Sequence, residues 1–148
     1  MTTTFVPTAT TVPAPADQAQ APTRSGAKLW RTGAVAGVVA SGTTSAVAAL
    51  ASAADVSLKV SGQAIPVLGF AQLTFVASLI GTIIAIALSH RANRPRRTFV
   101  RTAIALTIVS IVPDVLADAH TSTRFTLALT HVVAAAIVIP ALASRLHD

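Results

Sequence analysis

The sequence predicts an all-α fold: a four-transmembrane-helix bundle running up-down-up-down, with both termini cytoplasmic. Three observations carry this. Of 148 residues, 53% are hydrophobic and only 11% are charged, with no Glu and no Tyr; an ordinary soluble domain carries about twice that share of charge. Apolar runs recur at or near the roughly 20 residues that cross a bilayer as a helix. Arg24, Lys28, Arg31, Arg91, Arg94, Arg96, Arg97, Arg101 and Arg145 fall on one side of those runs, and only Lys59 and Arg124 fall on the other. Positive residues are retained in the cytoplasm, so this asymmetry sets the orientation and implies the inner (plasma) membrane.

Residues 1–27 are rich in Thr, Ala and Pro and have no hydrophobic period. They cannot bury enough surface to offset their ordering entropy, which predicts a disordered cytoplasmic tail ahead of a membrane domain over 28–148. The first span, about 31–54, is mildly hydrophobic. Gly33, Gly37, Ser41, Ser45, Ala49 and Ala53 recur every four residues and suggest a face for close helix approach. Ala51-Ser52-Ala53 before Ala54-Asp55 resembles a signal-peptidase site, but the run is longer than a signal core of roughly 7–15 residues, so a retained helix is favoured.

Residues 55–66 form a loop. Alternating Val56, Leu58 and Val60 allow a short strand-like turn ending at Gly62, and Pro66 suits the first turn of the next helix. The second span is about 67–89. A basic loop, 90–98, follows, and its Arg91, Arg94, Arg96 and Arg97 read as topology determinants that could also meet anionic lipid headgroups. The third span, about 99–119, contains Pro113, which lacks an N–H and predicts a kink. A short turn at 120–124 precedes the fourth span, about 125–143, where Pro140 reads as a kink or terminator.

The formal charge of +6 does not point to nucleic acid, because the basic residues flank apolar runs and no basic face is interleaved with aromatics. The absence of Cys excludes disulfides, thiol catalysis and Cys-ligated metal.

The candidate site is a polar cluster in the apolar spans. With the last turn centred near 122–123, Asp114 and His131 lie at equal depth, roughly 9 Å below the outer end at about 1.5 Å per residue. An ionisable residue there costs a few kcal/mol unless paired or hydrated, so each predicts the other as partner. Thr107, Ser110, Asp114 and Ala117/Asp118 share one stripe of the third helix. Gln72 and Ser45 can reach the same layer, which gives a cluster of Ser45, Gln72, Asp114 and His131. Asp118 and His120 sit close to the surface.

Arg31, Gly62, Pro66, Pro113-Asp114 and His131, in that order across about 28–146, resemble a family of uncharacterised four-helix membrane proteins of actinobacteria, a domain of unknown function. The resemblance implies four helices and a retained first span, and implies no activity, substrate or cofactor.

The expected role is a scaffold or accessory protein acting through helix contacts, with the bilayer, a second copy or another membrane protein as partner. The alternative is a proton-linked small transporter or channel subunit using Asp114 and His131. An enzyme with Ser110 as nucleophile is disfavoured, since GxSxG and HExxH motifs are absent and no catalytic residue is assigned. One intramembrane His with one Asp gives too few ligands for a metal, and a haem wants a second His; neither metal nor cofactor is expected.

Overall fold

The computed structural model describes residues 24–148 and contains four helices joined by short connections: α1 (Arg24–Ala53), α2 (Val67–Arg91), α3 (Pro95–Leu116) and α4 (Thr121–Ala143), with a two-strand hairpin, β1 (Lys59–Val60) and β2 (Gln63–Ala64), between α1 and α2. All four helices are long and apolar enough to span a membrane. Most of the expected tail, residues 1–23, lies outside the described residues.

The helix ends differ from the expected spans for one physical reason. Hydropathy marks where a helix crosses the bilayer core, and the helix itself continues into polar turns. Thus α1 begins seven residues before the apolar run and already buries Leu29. The basic loop shrinks to residues 92–94, because Pro95 opens α3 at its first turn, where its missing N–H costs nothing. Arg91 therefore ends α2, and Arg96 and Arg97 lie on α3. The last connection is 117–120 rather than 120–124, because Thr121, Ser122 and Thr123 form the first turn of α4. Pro66 precedes α2 as its N-cap instead of lying inside its first turn. Both α3 and α4 continue past their internal prolines, Pro113 and Pro140.

Contacts define two ends of the bundle. At one, the hairpin meets the α3–α4 connection: the Ser61 N–H donates to the Asp118 carbonyl at 2.9 Å, and the Thr123 hydroxyl donates to the Ser57 carbonyl. The hairpin turns at Ser61-Gly62, both with positive φ (50° and 77°), as a two-residue turn with the strands' own twist requires. At the other, basic end, the C-terminal segment reaches α3. Asp148 accepts from the Arg97 backbone N–H at 3.2 Å and pairs with its guanidinium at 3.6 Å, placing a carboxylate at a helix N-terminus.

Each end has its own apolar core. Leu29, Ala40, Ala85, Phe99, Val138 and Leu142 pack together at the basic end. Ala48, Leu58, Phe70 and Leu127 pack at the hairpin end. Between them, α1 and α2 approach closely: a Cβ on Gly33 would overlap the Thr82 side chain, with its Cγ2 2.7 Å away, and one on Gly37 would lie 3.0 Å from Ser78 Cβ.

The expected small-residue face holds only in part. Buried α1 positions run Gly33, Ala36, Gly37, Ala40, Ser41, Thr44 and Ala48, whereas Ala49 and Ala53 are exposed. A strict four-residue step overshoots a 3.6-residue turn by about 40°, so the stripe drifts off the contact after a few steps.

Candidate functional site

Asp114 and His131 meet at the hairpin end of the α3–α4 seam, with Asp114 Oδ2 2.9 Å from His131 Nδ1. From Asp114, α3 continues about 3 Å to its end, and from Thr121, α4 descends about 15 Å to His131, both at about 1.5 Å per residue. The connection at 117–120 joins them, extended at Ala117 and His120 and turned between them by the Ala119 N–H donating to the Ala117 carbonyl at 3.0 Å. The turn lies earlier than expected, and the two side chains still meet.

The contact is close without being a well-aligned hydrogen bond. Nδ1 also lies 3.1 Å from the Leu127 carbonyl oxygen, one turn back on its own helix. That carbonyl already accepts from the Thr130 hydroxyl at 2.7 Å. Asp114 Oδ2 is buried and has no aligned donor. Nδ1 thus stands between two oxygens, and when it carries a proton it can donate well to only one of them. The Asp114 side chain is 15% exposed and that of His131 39%, so the pair opens toward His131.

His131 also lines a cavity of about 300 Å³ between α2, α3 and α4, with Phe99 toward its basic end. Its walls are mostly apolar, with Ile80, Ile84, Leu106 and Ile139 beside the small Ala77, Gly81, Ala103 and Ala134, and with hydroxyls from Thr74, Ser78, Thr107 and Ser110. The wall is open at Gly81, where an added Cβ meets nothing within 4 Å. The α3 stripe Thr107, Ser110, Asp114 and Ala117 is the partly buried side of that helix, and Asp118 falls outside it, exposed, as does His120.

The other two expected members do not join the pair. Gln72 is exposed, two residues from buried Phe70 and so about 200° around α2 from it. Ser45 Oγ is buried on α1 without a hydrogen-bond partner, and it lines no wall of the His131 cavity. Sequence depth places a residue along the bilayer normal and says nothing of its azimuth.

What depth reasoning missed is a hydroxyl seam between α1 and α2. Thr74, Ser78 and Thr82 repeat every four residues on α2 and face Gly33, Gly37 and Thr44. Thr82 and Ser78 donate to the carbonyls of Ser78 and Thr74 at 2.8 and 2.7 Å, and Thr44 and Thr74 share a hydrogen bond of 3.0 Å. The repeat is visible in the sequence as three hydroxyl residues at four-residue spacing in the apolar middle of α2. Among the described residues, no three His, Cys, Asp or Glu side chains converge as a metal site.

A family model described as a family of unknown function (DUF6069) matches residues 24–148. No curated protein and no solved structure matches the chain.

Proposed function

The chain belongs to DUF6069, a family of unknown function, and from that premise we propose that this multi-pass membrane protein is a scaffold or accessory protein whose α2–α3 seam receives a transmembrane helix of a partner. The carrying observation is the cavity beside Gly81. Ala77, Gly81, Ala103 and Ala134 open its wall between larger aliphatic side chains, and α3 buries only Phe99 among its residues. Membrane helices associate where small residues let backbones approach, which is the surface this seam offers. In this reading α1 is retained, supported by its packing against α2 and α4. Both termini face the cytoplasm of an actinobacterial cell, supported by the basic end.

The test places a photo-crosslinking amino acid at Leu106, on the cavity wall, in cells. A discrete protein adduct that Gly81→Leu abolishes supports the proposal. Adducts to lipid alone, or an adduct indifferent to Gly81→Leu, overturn it.

Proton-linked transport is the second reading, favoured by the nearness of Nδ1 to both the Asp114 carboxylate and the Leu127 carbonyl and by the opening of His131 into the same cavity. It requires that Asp114→Asn abolish pH-driven flux in liposomes while the fold is kept. A scaffold shows no such flux.

A further inference from the structure

At the basic end, a second cleft of about 550 Å³ runs along the outer side of the packed α1–α4 pair. Lys28 and Arg31, three residues apart and so on one face of α1, stand at its rim with Arg145, which follows the end of α4. Below them the walls are apolar, with Val35 and Val39 from α1 and Ile137 from α4. All three cations are exposed. Among the described residues none of them has an acidic partner: Asp148 is taken by Arg97, Asp114 is paired with His131, and Asp55 and Asp118 belong to the hairpin end.

We infer that this cleft binds an anionic phospholipid, its phosphate held by Lys28, Arg31 and Arg145 and one acyl chain lying along Val35, Val39 and Ile137. The argument is complementarity. Three uncompensated positive charges sit at the depth of the headgroups, directly above an apolar slot that opens sideways to hydrocarbon. A basic pocket between transmembrane helices recognises such headgroups, and its apolar floor separates a lipid from a free anion. The site is distinct from the Arg94–Arg97 turn, whose cations stand at the start of α3 and line no part of this cleft.

The test is native mass spectrometry of the detergent-purified chain titrated with dioleoylphosphatidylglycerol or dioleoylphosphatidylcholine. One phosphatidylglycerol is expected to bind in preference to phosphatidylcholine. Removing each cation singly (Lys28→Gln, Arg31→Gln or Arg145→Gln) should weaken it about fivefold, the effect of about one basic residue at a membrane surface. Val39→Trp, at an exposed position, should block the slot without touching the charges. Arg94→Gln/Arg96→Gln/Arg97→Gln should leave binding intact. The inference is overturned if the single changes have no effect, if the Arg94–Arg97 variant alone abolishes binding, or if millimolar inorganic phosphate displaces the lipid.

Discussion

Asp114 Oδ2 lies 2.9 Å from His131 Nδ1, and the same nitrogen is 3.1 Å from the Leu127 carbonyl oxygen. Each acceptor therefore has a rival for one proton. Polar contacts between membrane helices are worth about 0.6 kcal/mol on average and rarely exceed about 2. Unfolding in mild detergent of Asp114→Ala, His131→Ala and the double variant should give a coupling within that range, with the double variant no less stable than either single. Strictly additive losses would show that the two side chains do not act as a pair.

Glycine substitutions should separate close approach from open space. Gly33→Ala forces a Cβ into Thr82 and is expected to cost about 1–3 kcal/mol, the usual penalty of overpacking. Gly42→Ala, with nothing within 4 Å of the new carbon, should be neutral or stabilising by up to about 1 kcal/mol. Equal effects at the two positions would contradict the α1–α2 geometry.

Thr123 ties α4 to the first loop. Its buried hydroxyl donates to the Ser57 carbonyl, and Thr123→Val would leave that carbonyl without this donor. The expected loss is about 1–3 kcal/mol. Hydrogen exchange should rise over 55–66 while the basic end stays protected.

Charge at the basic end should matter less for stability. Arg97 is 65% exposed beside Asp148, so Asp148→Asn should cost less than about 1 kcal/mol, and added salt should shrink the difference. A larger loss measured by thermal melting would mean that the carboxylate charge facing Arg97 and the α3 N-terminus counts for more than its exposure implies, because Asn keeps an oxygen to accept from the Arg97 backbone N–H.

Orientation can be tested cleanly because the chain has no Cys. A single Cys at Gly62 should react with an impermeant maleimide added to intact cells, and one at Asn93 should react only after permeabilisation. The reverse pattern would invert the proposed orientation.

Helix number and order were legible in hydropathy because a bilayer demands long apolar runs. Helix ends were not, since Pro95 and Thr121–Thr123 extend helices through sequence that reads as loop. The nearness of Asp114 and His131 was legible as equal depth, because an ionisable group in an apolar span needs a partner at its own level. Gln72 shows the limit of that reasoning: it shares the depth and faces away. Lys28, Arg31 and Arg145 were visible as charges but read only as orientation signals. Nothing in one dimension shows that they share the rim of one groove between α1 and α4.

The hydroxyls of Ser78, Thr82, Thr107 and Thr126 all donate to carbonyls of their own helices. A helix carrying them can enter the bilayer alone with no donor stranded in hydrocarbon. The Thr44 hydroxyl likewise reaches the Ser41 carbonyl of its own helix at 3.2 Å. Asp114 with His131 and Thr123 with Ser57 are different: each pairs a side chain with a group on another element, and both lie at the hairpin end. That end is the clasp of the bundle, where polar groups find partners only when the segments are together.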